Sequence, residues 1–431
     1  MFQTLKNAFK NKEVRIKIFI VLGLLVIFRL GCWIPVPGID AEVFSQQVSG
    51  QDFLSLLSGV SGGALSNGAI LALGVSPYIT AEIVVQLLTM AIPRWEKLSQ
   101  QGDEGRKKLK KYTKFLTLIL AAAQAIGIVV SFANNGAIEP SLFGGVQWLT
   151  CTVVVITLVA GAMFTMWLGE KITETGIANG LSLLIFVGIL STAGTAIFDT
   201  IKSSISNPEQ LWQLLAFIVA LIIIFSMIVL MDQAERKVPV QYAKQVRGRK
   251  MYGGQSTYIP VKVLGTGVLP IIFAMSLLSF PQIIMSIFWP ESGAAKWYAQ
   301  YLGAGSWAYS VVVGILILFF AYFTSYMSFK PDDISRQIQS NGGFIPGIRP
   351  GKTTAEYLNR INKRITFFGA CFLAFLTIVP TLIFKAIQPD GGSLVTAFSA
   401  TGMIIVVSVA LEIDKQLQAQ LLMKNYKGFL K

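Results

Sequence analysis

LWQLLAFIVALIIIFSMIVLM, residues 211–231, contains no Asp, Glu, Lys or Arg, and as a helix it is long enough to cross the roughly 30 Å hydrocarbon core of a bilayer. A helix apolar on every face over that length is a membrane span or the centre of a much larger protein. On one side of it a basic stretch begins, Arg236 to Lys262; on the other a short polar turn near Ser203–Gln210 leads back to a second apolar run at 180–198. This unit of apolar run, turn, apolar run and basic segment repeats along the whole chain.

The basic segments are Lys6 to Lys17, Arg94 to Lys114, Lys171, Arg236 to Lys262, Lys330 to Arg364 and Lys415 to Lys431, and they hold all but four of the 36 Lys and Arg residues. Each interval between them has room for two spans of roughly 20 residues. Ten spans result, at about 17–34, 75–92, 114–133, 148–168, 180–198, 211–231, 266–288, 306–327, 365–384 and 393–411. The fold class is therefore an all-α polytopic membrane protein. The positive-inside rule places both termini and the basic loops in the cytoplasm. Of the four remaining cations, Lys202, Lys296 and Lys385 fall in hairpin turns, and Arg29 is expected to snorkel from the end of the first span. All eight Trp lie at or near span ends, as an aromatic belt requires. No small-x-small cleavage pattern follows the first apolar run, which reads as a retained span. Cys32, Cys151 and Cys371 lack metal-site spacing and read as packing residues.

Two features interrupt the regular pattern. Gly50 to Gly74 holds six glycines in 25 residues and admits no continuous span. Within it Asp52–Ser58 has the makings of a short helix stopped by Gly59 and Gly62-Gly63. It is either an external loop packed on the bundle or a segment folded back into a cavity, because irregular backbone at membrane depth must be buried in protein or reached by water. The second feature is the length of the basic loops, notably Asp232–Leu264 and Ser328–Arg364, with their Gly253-Gly254 and Gly342–Gly347 punctuation. Orientation or contact with anionic lipid accounts for the charge; the extra length points to a docking partner.

Residue types exclude several chemistries. The chain has no His, which removes HExxH zinc sites, Ser–His nucleophiles and His proton relays. Gly347–Thr353 imitates a phosphate loop with one residue too few between its glycines. Nothing else points to an enzyme or to a cofactor. An ion-coupled transporter needs ionisable groups at mid-membrane, and the spans offer little beyond Glu82, Gln86 and Gln124. A passive conduit fits better than a transporter of small solutes or a scaffold without a conduit.

A set of strings then acquires meaning together: Pro35–Asp40 (PVPGID), Ser61–Leu65 (SGGAL), Ala72–Ile79 (ALGVSPYI), Trp167–Thr173 (WLGEKIT), Gly176–Gly180 (GIANG), Gln255–Pro260 (QSTYIP) and Phe344–Gly351 (FIPGIRPG). In this order, over nearly the whole chain, they resemble the SecY family of protein-export channels. The resemblance implies two five-helix halves, 1–202 and 203–431, around an hourglass pore in the bacterial cytoplasmic membrane. It implies a pore ring of Val75, Ile79, Leu181, Ile185, Ile272 and Ile405. A narrow aliphatic ring of that kind dewets and blocks ions without gripping a passing polypeptide.

By the same matching, the segment of about 52–67 resembles the plug, with Asp52, Phe53, Leu54, Leu56, Leu57, Ala64 and Leu65. The second and seventh spans resemble a lateral gate, with Ile83, Gln86, Leu264 and Thr266. Arg247, Arg249, Lys250 and Arg349 resemble the docking residues for the motor ATPase SecA and the ribosome. The implied partners also include the subunits SecE and SecG, preprotein substrates with their signal sequences, and anionic lipid. The sequence departs from the family's usual pattern at Lys262-Val263-Leu264, where Lys-Val-Asn is common, and at Gly265-Thr266-Gly267. It departs again at Ser399–Gly402, where Gly-Gly-Thr-Ser is frequent.

Overall fold

The computed structural model describes residues 2–49, 58–59, 61–133, 147–206, 208–242, 245–247, 250–252, 256–265, 267, 269–288, 292–302, 306–387 and 400–429. The chain is mostly helical. In order come α1 (Phe2–Lys10), α2 (Lys12–Gly31), α3 (Ala41–Ser49), α4 (Ser76–Ala91), α5 (Pro93–Gln100), α6 (Asp103–Ala133), α7 (Gln147–Thr175), α8 (Gly180–Ser206) and α9 (Pro208–Gln233). Strands β1 (Glu235–Tyr242), β2 (Gln245–Arg247), β3 (Lys250–Tyr252) and β4 (Ser256–Lys262) follow. Then come α10 (Leu269–Phe288), α11 (Gly293–Leu302), α12 (Trp307–Ser328), α13 (Pro331–Ser340), β5 (Gly343–Phe344), α14 (Lys352–Ile387) and α15 (Ala400–Phe429).

Among the described residues, six stretches are long and apolar enough to cross a bilayer: Asp103–Val130, Gln147–Thr175, Gly180–Lys202, Leu214–Gln233, Trp307–Ser340 and Lys352–Pro380. Leu214–Gln233 carries the argument for lipid. Its mean hydropathy is 3.2, yet only 17% of its most apolar window is buried in protein. Leu215, Ile218, Val219, Ile222 and Ile223 all face outward, an apolar surface that water would not tolerate on this scale. Trp33, Trp148, Trp212 and Trp307 project outward near helix ends. Cys371, expected in packing, is exposed on α14; Cys32 is buried and Cys151 half-buried, all three as free thiols.

Several helices run past their apolar parts. α6 begins at Asp103, α14 at Lys352, and α15 continues to Phe429. Lys, Arg, Glu and Gln are good helix formers, so charge ends the membrane-compatible stretch without ending the helix.

Contacts divide the fold into two compact units. The first comprises Met1–Phe217, Ser276–Tyr309 and Phe384–Lys431. In it α4 packs on α6, α6 on α7, α7 on α8 and α8 on α15. Its core joins Leu65, Ala72 and Leu73 to Ala121, Ala125, Val129 and Phe132 of α6 and Val154, Leu158 and Ala162 of α7. Phe44 of α3 stacks on Phe132 with ring centroids 4.2 Å apart.

The second unit comprises Ile218–Met275 and Ser310–Ile383. Its basic segments, expected as punctuated loops, instead build a three-stranded antiparallel sheet of order β4-β1-β5. The β1–β4 register runs from Glu235↔Lys262 to Gln241↔Ser256, and Gln241 of β1 faces Phe344 of β5. Alternation explains the strand: Val238 and Val240 point inward and Lys237 and Pro239 outward. Ile338, Ile345 and Leu358 close this small core.

Candidate functional site

In the first unit the glycine-rich residues 61–75 are turn rather than helix, and they lead directly into α4. Ser58, Ser61, Ala64 and Leu65 are buried. The backbone turns sharply at Gly62 (φ +73°) and Gly63 (φ +82°), values that favour glycine. Internal bonds hold the shape: Gly63 N–H donates to Ser58 O at 2.8 Å, Asn67 N–H to Gly63 O at 3.0 Å, and the Ser58 and Ser66 hydroxyls bond to each other. The segment is then fastened to its surroundings. Val36 N–H donates to Gly68 O and Ile70 N–H to Ile34 O, both at 2.9 Å.

Contacts from α2 and α8 close on three carbonyls of this segment. Arg29 Nη1 donates to Gly62 O at 2.7 Å and Cys32 Sγ to Ser61 O at 3.7 Å, while Thr192 Oγ1, bonded to Ile189 O of its own helix at 3.0 Å, lies 3.5 Å from Gly59 O. Arg29, expected to snorkel from the end of the first span, is instead bonded within the protein. Its guanidinium turns inward because a backbone carbonyl without a helix partner lies within reach. Leu65, one of the expected plug residues, belongs to the unit's main core. Asp52, Phe53, Leu54, Leu56 and Leu57 lie outside the described residues.

The expected ring residues occupy helix starts. Val75 caps α4, and Ile79 N–H donates back to its carbonyl at 3.1 Å. Val75, Ile79 and Ile83 therefore recur one turn apart on one stripe of α4, with Gln86 continuing it. Leu181 and Ile185 are likewise one turn apart at the start of α8. That helix is capped by Asn179, whose Oδ1 accepts from Leu181 N–H at 3.2 Å and Ser182 N–H at 3.4 Å. The α7–α8 turn is tight: Gly180 N–H donates to Thr173 Oγ1 at 2.9 Å, and a Cβ on Gly180 would overlap the Gly169 carbonyl. Ile405 is buried on α15, which packs on α8. Val75 and Ile185 are buried and Ile79 and Leu181 half-buried. Ile272, half-buried on α10, belongs to the second unit.

In that second unit Leu264 is buried, 6% exposed, where the chain leaves β4. The close approach of α14 holds the exit in place, since a Cβ on Gly369 would overlap the Val263 carbonyl. A cavity of about 220 Å³ borders Leu264 and Gly265, with a polar wall formed by Asn362 Nδ2 on Ser325 Oγ and Ser325 on Thr366, each at 2.8 Å. Thr266 lies outside the described residues, as does Arg249. Arg247 and Lys250 face each other across the β2–β3 hairpin. Arg349 is exposed on a turn between β5 and α14. That turn is braced by Thr354 Oγ1 on Arg349 O at 2.9 Å and Ser335 Oγ on Gly351 O at 2.6 Å.

Sequence reasoning missed the Arg29 contact, the sheet, and the Lys114–Glu170 ion pair of 2.7 Å between α6 and α7. Arg29 did carry a signal: it is a cation apart from every basic cluster, inside an apolar run.

Similarity places this arrangement. A solved structure described as that of a protein-conducting channel superposes with a TM-score of 0.62 at 20% identity, covering 93% of this chain and 90% of the other. Another superposes with a TM-score of 0.61 at 21% identity, covering 92% and 90%. It is described by the role of the SecY plug domain in stabilising the closed state of the translocation channel and maintaining a membrane seal. The fold is that of the protein-conducting channels, helical membrane proteins.

The sequence pattern of the SecY family matches residues 69–413. The protein translocase subunit SecY of Thermotoga maritima is 40% identical over 440 residues, covering 100% of this chain and 98% of its own length. That of Streptomyces scabiei is 39% identical over the full length of both. The chain belongs to the SecY family, a family of channels and not of enzymes.

Proposed function

We propose that this chain is the pore subunit of a bacterial protein translocase. It passes unfolded preproteins across the cytoplasmic membrane and releases membrane segments sideways into lipid. The observation that carries the reading is the glycine-turned segment 61–74, largely buried in its unit. Irregular backbone held at helix ends inside a bundle is what a closable channel requires and a plain helical scaffold does not.

In this reading α2, α4, α10 and the apolar start of α15 cross the membrane together with the six long apolar stretches. They give ten spans in two halves, 1–202 and 203–431, with both termini cytoplasmic. Val75, Ile79, Leu181, Ile185, Ile272 and Ile405 form the constriction, which is dry and impermeable to ions at rest. Residues 52–67 close it, and Ile83, Gln86, Leu264 and Thr266 are the residues of the lateral gate. Leu264 supplies an apolar side chain where the family usually carries an amide, which makes this gate less polar.

The β-sheet and the turn bearing Arg349 give the cytoplasmic side a rigid, cationic docking surface for SecA or a ribosome. Energy for transport comes from that partner, because the sequence carries no phosphate-loop motif of the standard spacing. SecE and SecG complete the complex, and the basic loops meet anionic lipid.

Reconstitution of the chain with SecE and SecA in vesicles tests the proposal. A preprotein with a signal sequence should become protected from external protease only when ATP is supplied. Failure of protection in vesicles shown to contain the assembled complex contradicts it.

A further inference from the structure

Arg29 is placed where a cation is expensive. It lies in the last turn of α2, at the end of an apolar helix, and a charged side chain at membrane depth is retained where it has a specific partner. Its partner is a backbone carbonyl 33 residues away, Gly62 O, at 2.7 Å. A guanidinium donating to a carbonyl forms a charge-assisted bond, roughly twice as strong as a neutral one.

The acceptor is held as firmly as the donor. Gly62 has φ +73°, and a Cβ added there would come within 2.9 Å of Gly188 Cα and 2.8 Å of Arg29 Nη1. The Gly62 backbone is therefore wedged between α8 and the guanidinium, with its carbonyl fixed toward α2. The neighbouring contacts are neutral and long: Cys32 Sγ donates to Ser61 O at 3.7 Å, and Thr192 Oγ1 lies 3.5 Å from Gly59 O. Among the described residues, the Arg29 contact on this turn is both short and charged.

We propose that Arg29 is a positioning residue that latches the closed state of the channel, its guanidinium holding the Gly62 carbonyl until the segment is displaced. The inference rests on the channel reading above. It assigns the resting seal to an ion–dipole bond beside the constriction, in addition to the aliphatic ring. Displacing the segment breaks the Arg29 bond and the two weaker ones together, so the seal opens as a unit.

The test is single-channel recording of the full-length chain with its SecE subunit in planar bilayers. Arg29→Met should raise the resting open probability on the order of tenfold or more. Arg29→Lys keeps the charge with a more compact donor and should fall between Arg29→Met and the wild type. In a channel lacking Phe53–Leu57 the Arg29–Gly62 bond can still form but has no sealing residues left to hold in place, and Arg29→Met should add nothing. A quiet Arg29→Met channel beside a leaky deletion overturns the latch and leaves the channel reading standing. A deletion that does not leak overturns the plug reading and the latch with it. Added leak from Arg29→Met in the deletion background shows a general packing role and also overturns the latch. Should Arg29→Met not assemble, Arg29→Lys decides alone: resting closure equal to wild type counts against the proposal, and raised opening supports it.

Discussion

Gly161 of α7 lies so close to Ile70 that a Cβ on the glycine would overlap the Ile70 carbonyl oxygen. Lipid tails are as apolar as the helices they surround, so spans associate through close van der Waals packing at small residues. Gly161 lets α7 reach the backbone of the segment that leads into α4. Gly161→Ala should cost about 1–3 kcal/mol by overpacking. A lowered thermal midpoint of the purified complex checks this; an unchanged midpoint argues that the segment does not rest on α7.

The Lys114–Glu170 pair makes a contrasting prediction. Its geometry is good at 2.7 Å, but the side chains are 42% and 28% exposed, so solvent screens the attraction. A double-mutant cycle with Lys114→Met and Glu170→Gln should give a coupling below about 1 kcal/mol. A larger value means the pair is shielded in the assembled complex.

Arg349→Glu should impair SecA-driven transport severalfold while leaving the protein inserted and bound to SecE. The residue is exposed, and its turn is braced by Thr354 and Ser335 through backbone carbonyls that the substitution leaves in place. Reversing a charge at a docking surface weakens encounter more than folding. Normal ATP-dependent transport by a stably inserted Arg349→Glu protein contradicts the docking role.

Removal of Phe53–Leu57 should leave a folded complex with raised ion conductance. The deletion stops short of Ser58–Leu65 because Leu65 is part of the core formed with α6 and α7. Monodisperse complex with wild-type resting conductance contradicts the plug reading.

How much of this was legible depends on which physical signal a residue carries. Hydropathy and charge locate runs such as 211–231 and the basic segments between spans, because lipid imposes one simple demand on composition. The same measure cannot see where a helix stops. Lys107, Lys108, Lys110 and Lys111 in α6 are as helical as the apolar residues after them. The sheet was obscured because its core is small and its strands contain Pro239 and Pro260, which sit where β1 and β4 face each other. Glycine spacing marked the break at 50–74 but not its neighbours, since the approach of Gly62 to Gly188 joins distant positions. Arg29 stood out as an isolated cation, and only its position beside Gly62 distinguishes an inward bond from an outward reach.

The constriction is where the account is most exposed to test. Single cysteines at Val75, Ile79, Leu181, Ile185, Ile272 and Ile405, in a chain with Cys32, Cys151 and Cys371 replaced, should each crosslink to a preprotein stalled in transit. A cysteine at Val219, on the outward face of α9 and 56% exposed, should not. Crosslinking at the six positions and not at the control is the predicted result. Ring cysteines that fail to react in a complex shown to transport, or a Val219 cysteine that reacts equally well, contradicts the claim that polypeptide passes through this ring.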